Sequence, residues 1–459
     1  MVRTFIDEVK LHNLANAEKS VAANDIESIL EKGKQLKGLT LEETAKLLSV
    51  EDPELKDQLF QTASYIKNAI YGDRLVFFAP LYLSSFCIND CDYCGFHARN
   101  DAPRKKLTSD EIEGQVSHLI DMGHKRLLLE FGEDPNNNPI EYIVDTIKQV
   151  YSVRREKGEI RRANINVAAT TVENYKLIKE CGIGTYQLFQ ETYHRETYDS
   201  MHKKGPKSDY LRQLYAMDKA FEAGIDDVGL GVLFGLYNWK FEVLALLAHA
   251  IYLQDKFGVG PHTLSIPRFR PAASVTMEAP SPVSDEDFLK LIAILRIAVP
   301  YTGMIITTRE KPEIREKAFQ IGITQTSAAS KTSPGGFGKG KGKDVEQFKL
   351  SDVRSLDEIA ISIMEQGYTP SFCTACYRKS RTGETFMDLA KPGDIQQFCG
   401  PNSILTLMEY LEDYASAEGK KLGMKMIKKE LGGIKNNSTR KMTEERLERI
   451  RGGERDLYF

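Results

Sequence analysis

Seven cysteines stand in a chain of 459 residues, and six of them fall into two groups of three. The first group is Cys87-Ile88-Asn89-Asp90-Cys91-Asp92-Tyr93-Cys94, with three and then two residues between the thiols. Thiolates are soft ligands, and a tight cluster of them selects iron–sulfur clusters, zinc or copper. Three cysteines on one loop, with no fourth nearby, suit a four-iron cluster that leaves one iron open. The competing reading is a structural zinc ion with His97 as fourth ligand, although such sites usually join ligand pairs from two knuckles. The second group is Cys373-Thr374-Ala375-Cys376, followed after 22 intervening residues by Cys399. A redox dithiol needs a thioredoxin-like βαβ setting, which is absent around Cys373, so a second metal cluster is expected there. The seventh thiol, Cys181, ends a helical stretch and reads as a small buried residue.

The elements that must hold these groups are legible as a change of period. Up to about residue 72 the apolar residues recur at helical spacing, for example Leu59, Phe60, Ala63, Ile66 and Ile70. Thr40-Leu41-Glu42-Glu43 reads as a capped helix start. From Arg74 onward, short β-rich runs at 75–83, 126–131, 164–169, 185–189, 228–234, 263–267, 304–308 and 323–327 alternate with longer amphipathic stretches. Eight such alternations predict a parallel sheet closed as a (β/α)8 barrel, with an open doubly wound sheet as the alternative. Residues 333–343, rich in Gly and Lys, lack the ordered phosphate-loop pattern and read as a connector. The remainder, 345–459, reads as mostly helical. Its last forty residues carry 12 Lys/Arg against 6 Asp/Glu, as expected of a solvated helical tail.

Composition narrows the function classes. Apolar residues make up 41% and charged residues 28%, ordinary for a globular enzyme, and a net charge of −3 argues against nucleic acid as a partner. No apolar run is long enough to span a bilayer, and the first ten residues lack an apolar signal region. A cytoplasmic protein with reduced thiols and no membrane partner is the expectation.

The Cys87–Cys94 spacing, with an aromatic before its last cysteine, resembles the radical S-adenosylmethionine (SAM) superfamily. There the open iron is chelated by the amino and carboxylate groups of SAM. Further blocks are Gln190-Glu191-Thr192-Tyr193-His194, Gly260-Pro261-His262-Thr263, Thr307-Thr308-Arg309-Glu310, and Cys373-Thr374-Ala375-Cys376-Tyr377-Arg378 with Cys399-Gly400-Pro401-Asn402. With these, nearly the whole chain resembles the FeFe-hydrogenase maturases among the radical SAM tyrosine lyases.

The resemblance implies an α/β fold: a TIM-type radical SAM barrel over 73–333, a helical extension over 1–72, and a mostly helical cluster-binding domain over 334–459. It implies that Cys87, Cys91 and Cys94 hold a 4Fe–4S cluster that binds SAM. Cys373, Cys376 and Cys399 would hold an auxiliary 4Fe–4S cluster, with His262 and free cysteine on an extra iron. Glu133, Glu191 and Arg212 would bind SAM, although Phe131 replaces the first Gly of the usual Gly-Gly-Glu element. Arg309 would take the carboxylate of L-tyrosine, with Tyr93 over the first cluster. The implied reaction gives p-cresol and dehydroglycine, then carbon monoxide and cyanide for hydrogenase assembly. Its implied partners are a one-electron donor and other hydrogenase maturation proteins. A ThiH-like lyase of thiazole synthesis would stop at dehydroglycine, and a non-catalytic iron–sulfur carrier would need no SAM pocket.

His262 opens the sixth run instead of closing it, so the auxiliary site should lie at the barrel mouth remote from SAM. With the clusters more than ~20 Å apart, an internal passage between them is expected.

Overall fold

The structure, a computed structural model, describes residues 4–17, 21–338 and 345–459. Four helices lead the chain: α1 (Glu8–Ala15), α2 (Ala23–Gly33), α3 (Leu41–Leu48) and α4 (Pro53–Tyr71). Thr40 and Glu43 form the capping box that starts α3, satisfying two backbone donors reciprocally. Leu59, Ala63, Ile66 and Ile70 form the buried stripe of α4, which packs on the helix Asp285–Ala298.

Eight parallel strands follow: β1 (Arg74–Ser84), β2 (Arg126–Phe131), β3 (Arg162–Asn166), β4 (Tyr186–Gln187), β5 (Val228–Gly231), β6 (Thr263–Ser265), β7 (Gly303–Ile306) and β8 (Gln325–Ser327). Each pairs with the next, and β8 returns to β1 through Val76↔Gln325 and Phe78↔Ser327, so the sheet is a closed barrel. Every run expected from the sequence contains a strand. Several strands are shorter than their runs because the chain leaves the ladder early, as where 185–189 shrinks to Tyr186–Gln187.

β1 is the longest strand and reaches both mouths. At its far end the register with β2 shifts between Tyr82 and Ser84, and this bulge turns the chain into the Cys87 loop. At its near end β1 also pairs with β9 (Thr369–Ser371), which lies along the edge that β2 takes up from Ala79 onward. The strand that launches the first cysteine group therefore anchors the segment carrying the second.

After β9 the chain is helical, with its longest helices at Gln396–Asp413, Ala417–Gly433 and Asn437–Arg451. The basic end is not simply solvated. Met426, Ile427, Leu447 and Ile450 are buried, and the Arg455 guanidinium pairs with Asp413 at 2.6 Å. The Lys/Arg excess lies on the outer face of helices whose inner face packs. The connector begins docked, since Gln115 bonds both the N–H and C=O of Phe337; positions 339–343 of the expected Gly-rich run lie outside the described residues. Among the described residues no helix is long and apolar enough to cross a membrane.

Candidate metal centres and active site

The carboxyl-end mouth of the barrel holds a cavity of about 170 Å3 lined by Cys87, Cys91, Cys94, Tyr93, Glu133, Glu191 and Arg309. Gly132 lets the chain after β2 pass beneath the cysteine loop. A Cβ there would stand 2.2 Å from the Phe86 carbonyl oxygen, and the Glu133 carbonyl accepts from the Ile88 N–H at 2.8 Å. The Glu133 carboxylate accepts from Asn89 and from Arg212, each at 2.6 Å. Glu191 sits in the left-handed region at φ 70° and pairs with Lys207 at 2.7 Å. Tyr93 packs among Leu233, Leu236 and Phe269, and its hydroxyl meets His202 Nε2 at 2.8 Å.

Arg309 lines the cavity as a cation without a charge partner among the described residues. Its neighbour Glu310, the obvious partner from sequence, is taken by Arg268, whose Nε donates at 3.0 Å, and by Arg270 at 3.3 Å. Among the described residues the Arg309 side chain makes no hydrogen bond or ion pair, and its guanidinium stacks 3.3 Å over Phe348. A planar fork held this way and left unpaired suits a ligand carboxylate.

Burial pushes the thiols of Cys87, Cys91 and Cys94 up, Cys94 to about 12. Such thiols resist ionisation alone and give up their protons to metal. Among the described residues neither cysteine triplet brings its three sulfurs within 4.8 Å of one another. His97 lies on the wall of a separate cavity with Asp92, Arg99 and Lys203, which none of the three thiols lines. The zinc alternative loses its fourth ligand.

The opposite mouth holds a smaller cavity of about 50 Å3, lined by Cys373, Cys376, Cys399, His262, Arg74 and Arg126. His262 stands at the entry to β6, as its place in the run predicts. Its Nδ1 lies 3.4 Å from Asp227, and its ring packs 4.1 Å from Phe386. Burial pushes this imidazole down, so it stays neutral and ligand-competent. The hydrogen bond from Cys376 holds Cys399 down to about 6 against burial, helped by Arg74 and Arg381. The Nε atoms of Arg74, Arg126 and Arg381 are buried without a partner. Orphaned guanidinium donors around three thiols fit an anionic iron–sulfur cluster.

Between the mouths the barrel is unusually polar. Cavity-lining positions include Asn166, Gln187, Ser265, Ser327 and Gln325, where barrels normally stack Val, Ile and Leu. Gly229, Gly231 and Gly303 face close neighbours; a Cβ on Gly303 would meet Gln325 Nε2 at 2.5 Å. The expected open passage is nevertheless interrupted. Val76 and Gln325 line the lower cavity while Phe78 and Ser327 line the upper, and Gln187 donates to Thr263 Oγ1 at 3.4 Å. One layer of amide and hydroxyl side chains separates two distinct cavities.

Two cavity residues had no individual signal in the sequence. Lys207 follows a turn in which Gly205, at φ 89°, lies against the backbone of Asn89; burial opposes its charge, but Glu191 and Cys91 outweigh that and hold it well above the usual lysine range. Glu130 faces the cavity from β2, and burial pushes its carboxyl up to about 8 against the pull of Arg309 and Asn166. The alternation of β2 points Glu130 inward, but only the closed barrel makes that position a cavity wall. Cys181 is half-buried, not buried, because it caps the exposed end of the helix Val172–Glu180.

A closed barrel with a three-thiol loop over its carboxyl-end mouth is the architecture of radical SAM enzymes. Residues 81–250 match the Radical SAM superfamily and residues 265–369 the Biotin and Thiamin Synthesis associated domain. A crystal structure of HydG, a maturase of the [FeFe]-hydrogenase, superposes with a TM-score of 0.96 at 54% identity, covering 99% of this chain and all of that one. HydG from Carboxydothermus hydrogenoformans superposes at 0.84 with 38% identity over 96% of this chain and 97% of that one. The 2-iminoacetate synthase of Escherichia coli K12 is 32% identical over 72% of this chain and 86% of its own length. The chain belongs to the HydG family of radical SAM maturases. Family membership implies a 4Fe–4S cluster and SAM.

Proposed function

We propose that the protein cleaves the Cα–Cβ bond of L-tyrosine to p-cresol and dehydroglycine at the upper mouth, and that the fragment becomes carbon monoxide and cyanide at the lower one for FeFe-hydrogenase assembly. The observation that carries the reading is one scaffold with a cysteine triplet lining a cavity at each of its two mouths. A guanidinium unpaired among the described residues lines the cavity of the Cys87 loop, and a second thiol triplet with His262 lines the cavity at the opposite mouth.

When bound, the cluster and SAM supply the 5′-deoxyadenosyl radical. The chain's part is to orient and enclose. Glu133 and Arg212, joined at 2.6 Å, and Glu191 with Lys207 offer acid and base to the polar groups of SAM. Arg309 would hold the tyrosine carboxylate by its fork and so orient the substrate in the cavity. Glu130 and Asn166 line the same cavity, and Glu130, protonated when buried alone, would offer the substrate amine a hydrogen-bonding partner. Cys373, Cys376 and Cys399 would hold the auxiliary cluster, and His262, with Asp227 at its other nitrogen, would hold an extra iron together with free cysteine.

Replacing Cys373 and Cys376 by Ala is expected to spare p-cresol formation and abolish carbon monoxide and cyanide. Loss of both sets of products in a folded variant would overturn the two-site reading. The thiazole-type alternative, favoured by the 2-iminoacetate synthase likeness, predicts p-cresol without carbon monoxide even in the unaltered protein. The carrier reading predicts neither.

A further inference from the structure

Outside both mouths, the described residues bring one further group of metal-ligating side chains together. Glu8 and His12, one turn apart on α1, face His194, which follows β4 in the Gln190-Glu191-Thr192-Tyr193-His194 segment. One ligand atom from each lies within 4.8 Å of the others, and all three residues are half-buried. Both imidazoles are held by aromatic neighbours. His194 stacks on Tyr237 at 3.8 Å, and His12 stacks on Phe241 at 4.6 Å. Glu8 spends one carboxylate oxygen on the Arg195 N–H at 2.9 Å and keeps the other. His194 Nδ1 accepts from the Thr197 N–H at 3.4 Å and lies 2.9 Å from the Thr197 hydroxyl, so Nε2 is the ring nitrogen open to a metal. Binding there moves the ring proton to Nδ1, which then donates to that hydroxyl in place of accepting the long backbone bond.

We propose that Glu8, His12 and His194 form a zinc site. Two imidazoles and a carboxylate with room for water are a donor set that Zn2+ takes readily, and zinc outcompetes ferrous iron on such ligands. Zinc at about 2.1 Å from each ligand needs the donor atoms about 3.4 Å apart, an inward shift that three half-buried side chains can make by rotamer adjustment. The ion would staple the leading helix to the barrel. The His194 end of that staple begins the helix Arg195–Met201, whose last carbonyl accepts from the Asp92 N–H of the cysteine loop at 3.1 Å. Zinc would therefore brace the loop from outside while taking no part in the chemistry.

The test uses the full chain with both cysteine groups already loaded with iron–sulfur clusters, so thiol binding is equal across variants. Zn2+ is added in excess, the protein is desalted, and zinc is counted. The wild type should retain one more zinc per chain than His12→Gln, and zinc should raise its Tm. His12→Asp, which restores an oxygen ligand, should recover part of the uptake. Because His12 is not a helix cap and lines neither mouth, His12→Gln should cleave tyrosine at the wild-type rate in zinc-free buffer. Equal zinc retention by wild type and His12→Gln would overturn the proposal, as would a wild type that retains none.

Discussion

The two mouths of the barrel offer the same three-thiol donor set in opposite surroundings. Around Cys87, Cys91 and Cys94 the walls carry Glu130, Glu133 and Glu191 against Lys207 and Arg309, in a cavity of about 170 Å3. Around Cys373, Cys376 and Cys399 the cavity is less than a third of that size, and its charged wall is Arg74 and Arg126. A mixed, roomy wall can bind zwitterions such as SAM or an amino acid, each of which needs both an anion and a cation partner. A tight wall of arginines favours a compact anion, which a thiolate-ligated cluster is. The ligands set what metal can sit at each mouth, and the wall decides what can sit beside it.

That contrast is most easily broken at the cysteines themselves. Cys91→Ala should abolish 5′-deoxyadenosine, p-cresol and every later product, while Cys399→Ala should leave 5′-deoxyadenosine and p-cresol in place. Quantifying the two organic products by chromatography after anaerobic incubation with SAM and reductant checks both. If Cys399→Ala stopped SAM cleavage, the mouths would not be independent.

Within the upper mouth, Arg309→Met removes the unpaired guanidinium without touching the thiols. Truncating one partner of a buried charge pair costs about 2–5 kcal/mol, so kcat/KM for tyrosine should fall by roughly 30- to 5000-fold. SAM affinity should hold, since the groups proposed to meet SAM are Glu133, Glu191, Lys207 and Arg212. An unchanged KM for tyrosine would remove Arg309 from the substrate site and leave the cavity without its carboxylate anchor.

How much of this was legible in the sequence follows the range of the interactions. Both cysteine groups and the capping box at Thr40 are local patterns, and the local chain decides them. His262 was placed correctly because strand direction converts position within a run into a choice of mouth. Lys207, Glu130 and Arg74 gave no such sign. Lys207 reaches the cavity because a turn at Gly205 docks on Asn89, 116 positions earlier, and Arg74 lines the lower mouth only because β9 and the C-terminal helices close over it. Arg309 was nominated from sequence, but its freedom depended on Arg268 and Arg270 claiming Glu310, which only the folded chain decides. The closed layer between the cavities was likewise missed, because it is made by side chains from strands far apart in sequence.

That layer gives the next test. Gly303→Ala places a Cβ 2.5 Å from Gln325 Nε2, at the floor between the two mouths. The far end of a flexible glutamine can yield, so the stability cost should stay near the low end of the ~1–3 kcal/mol typical of overpacking. The expected outcome is unchanged p-cresol with a lower yield of carbon monoxide and cyanide per p-cresol, read in one assay mixture. A fixed ratio would mean that the fragment does not travel through this layer.

The smallest effect separates the walls by pH. Glu130 is buried in the upper mouth with a carboxyl pushed up to about 8 from an ordinary 4.5, burial being the largest cause. Between those values the unfolded chain has released this proton and the folded chain still holds it. Unfolding then releases a proton, and rising pH favours unfolding, by at most about 1.4 kcal/mol per pH unit from this group. The contribution is absent below about pH 4.5 and complete above about pH 8. Glu130→Gln keeps the shape and removes the titration, so its urea-unfolding stability should fall less steeply than the wild type's between pH 5.5 and 8. The two should match most closely at the acid end, where Glu130 is protonated in the folded chain. If the slopes coincide, the carboxyl is hydrated or ionised in the folded protein, and the upper wall then carries one more negative charge than its burial implies. In that case Glu130 would meet the substrate ammonium as a ready-made ion pair, and the pH dependence of KM for tyrosine, not of stability, would report it.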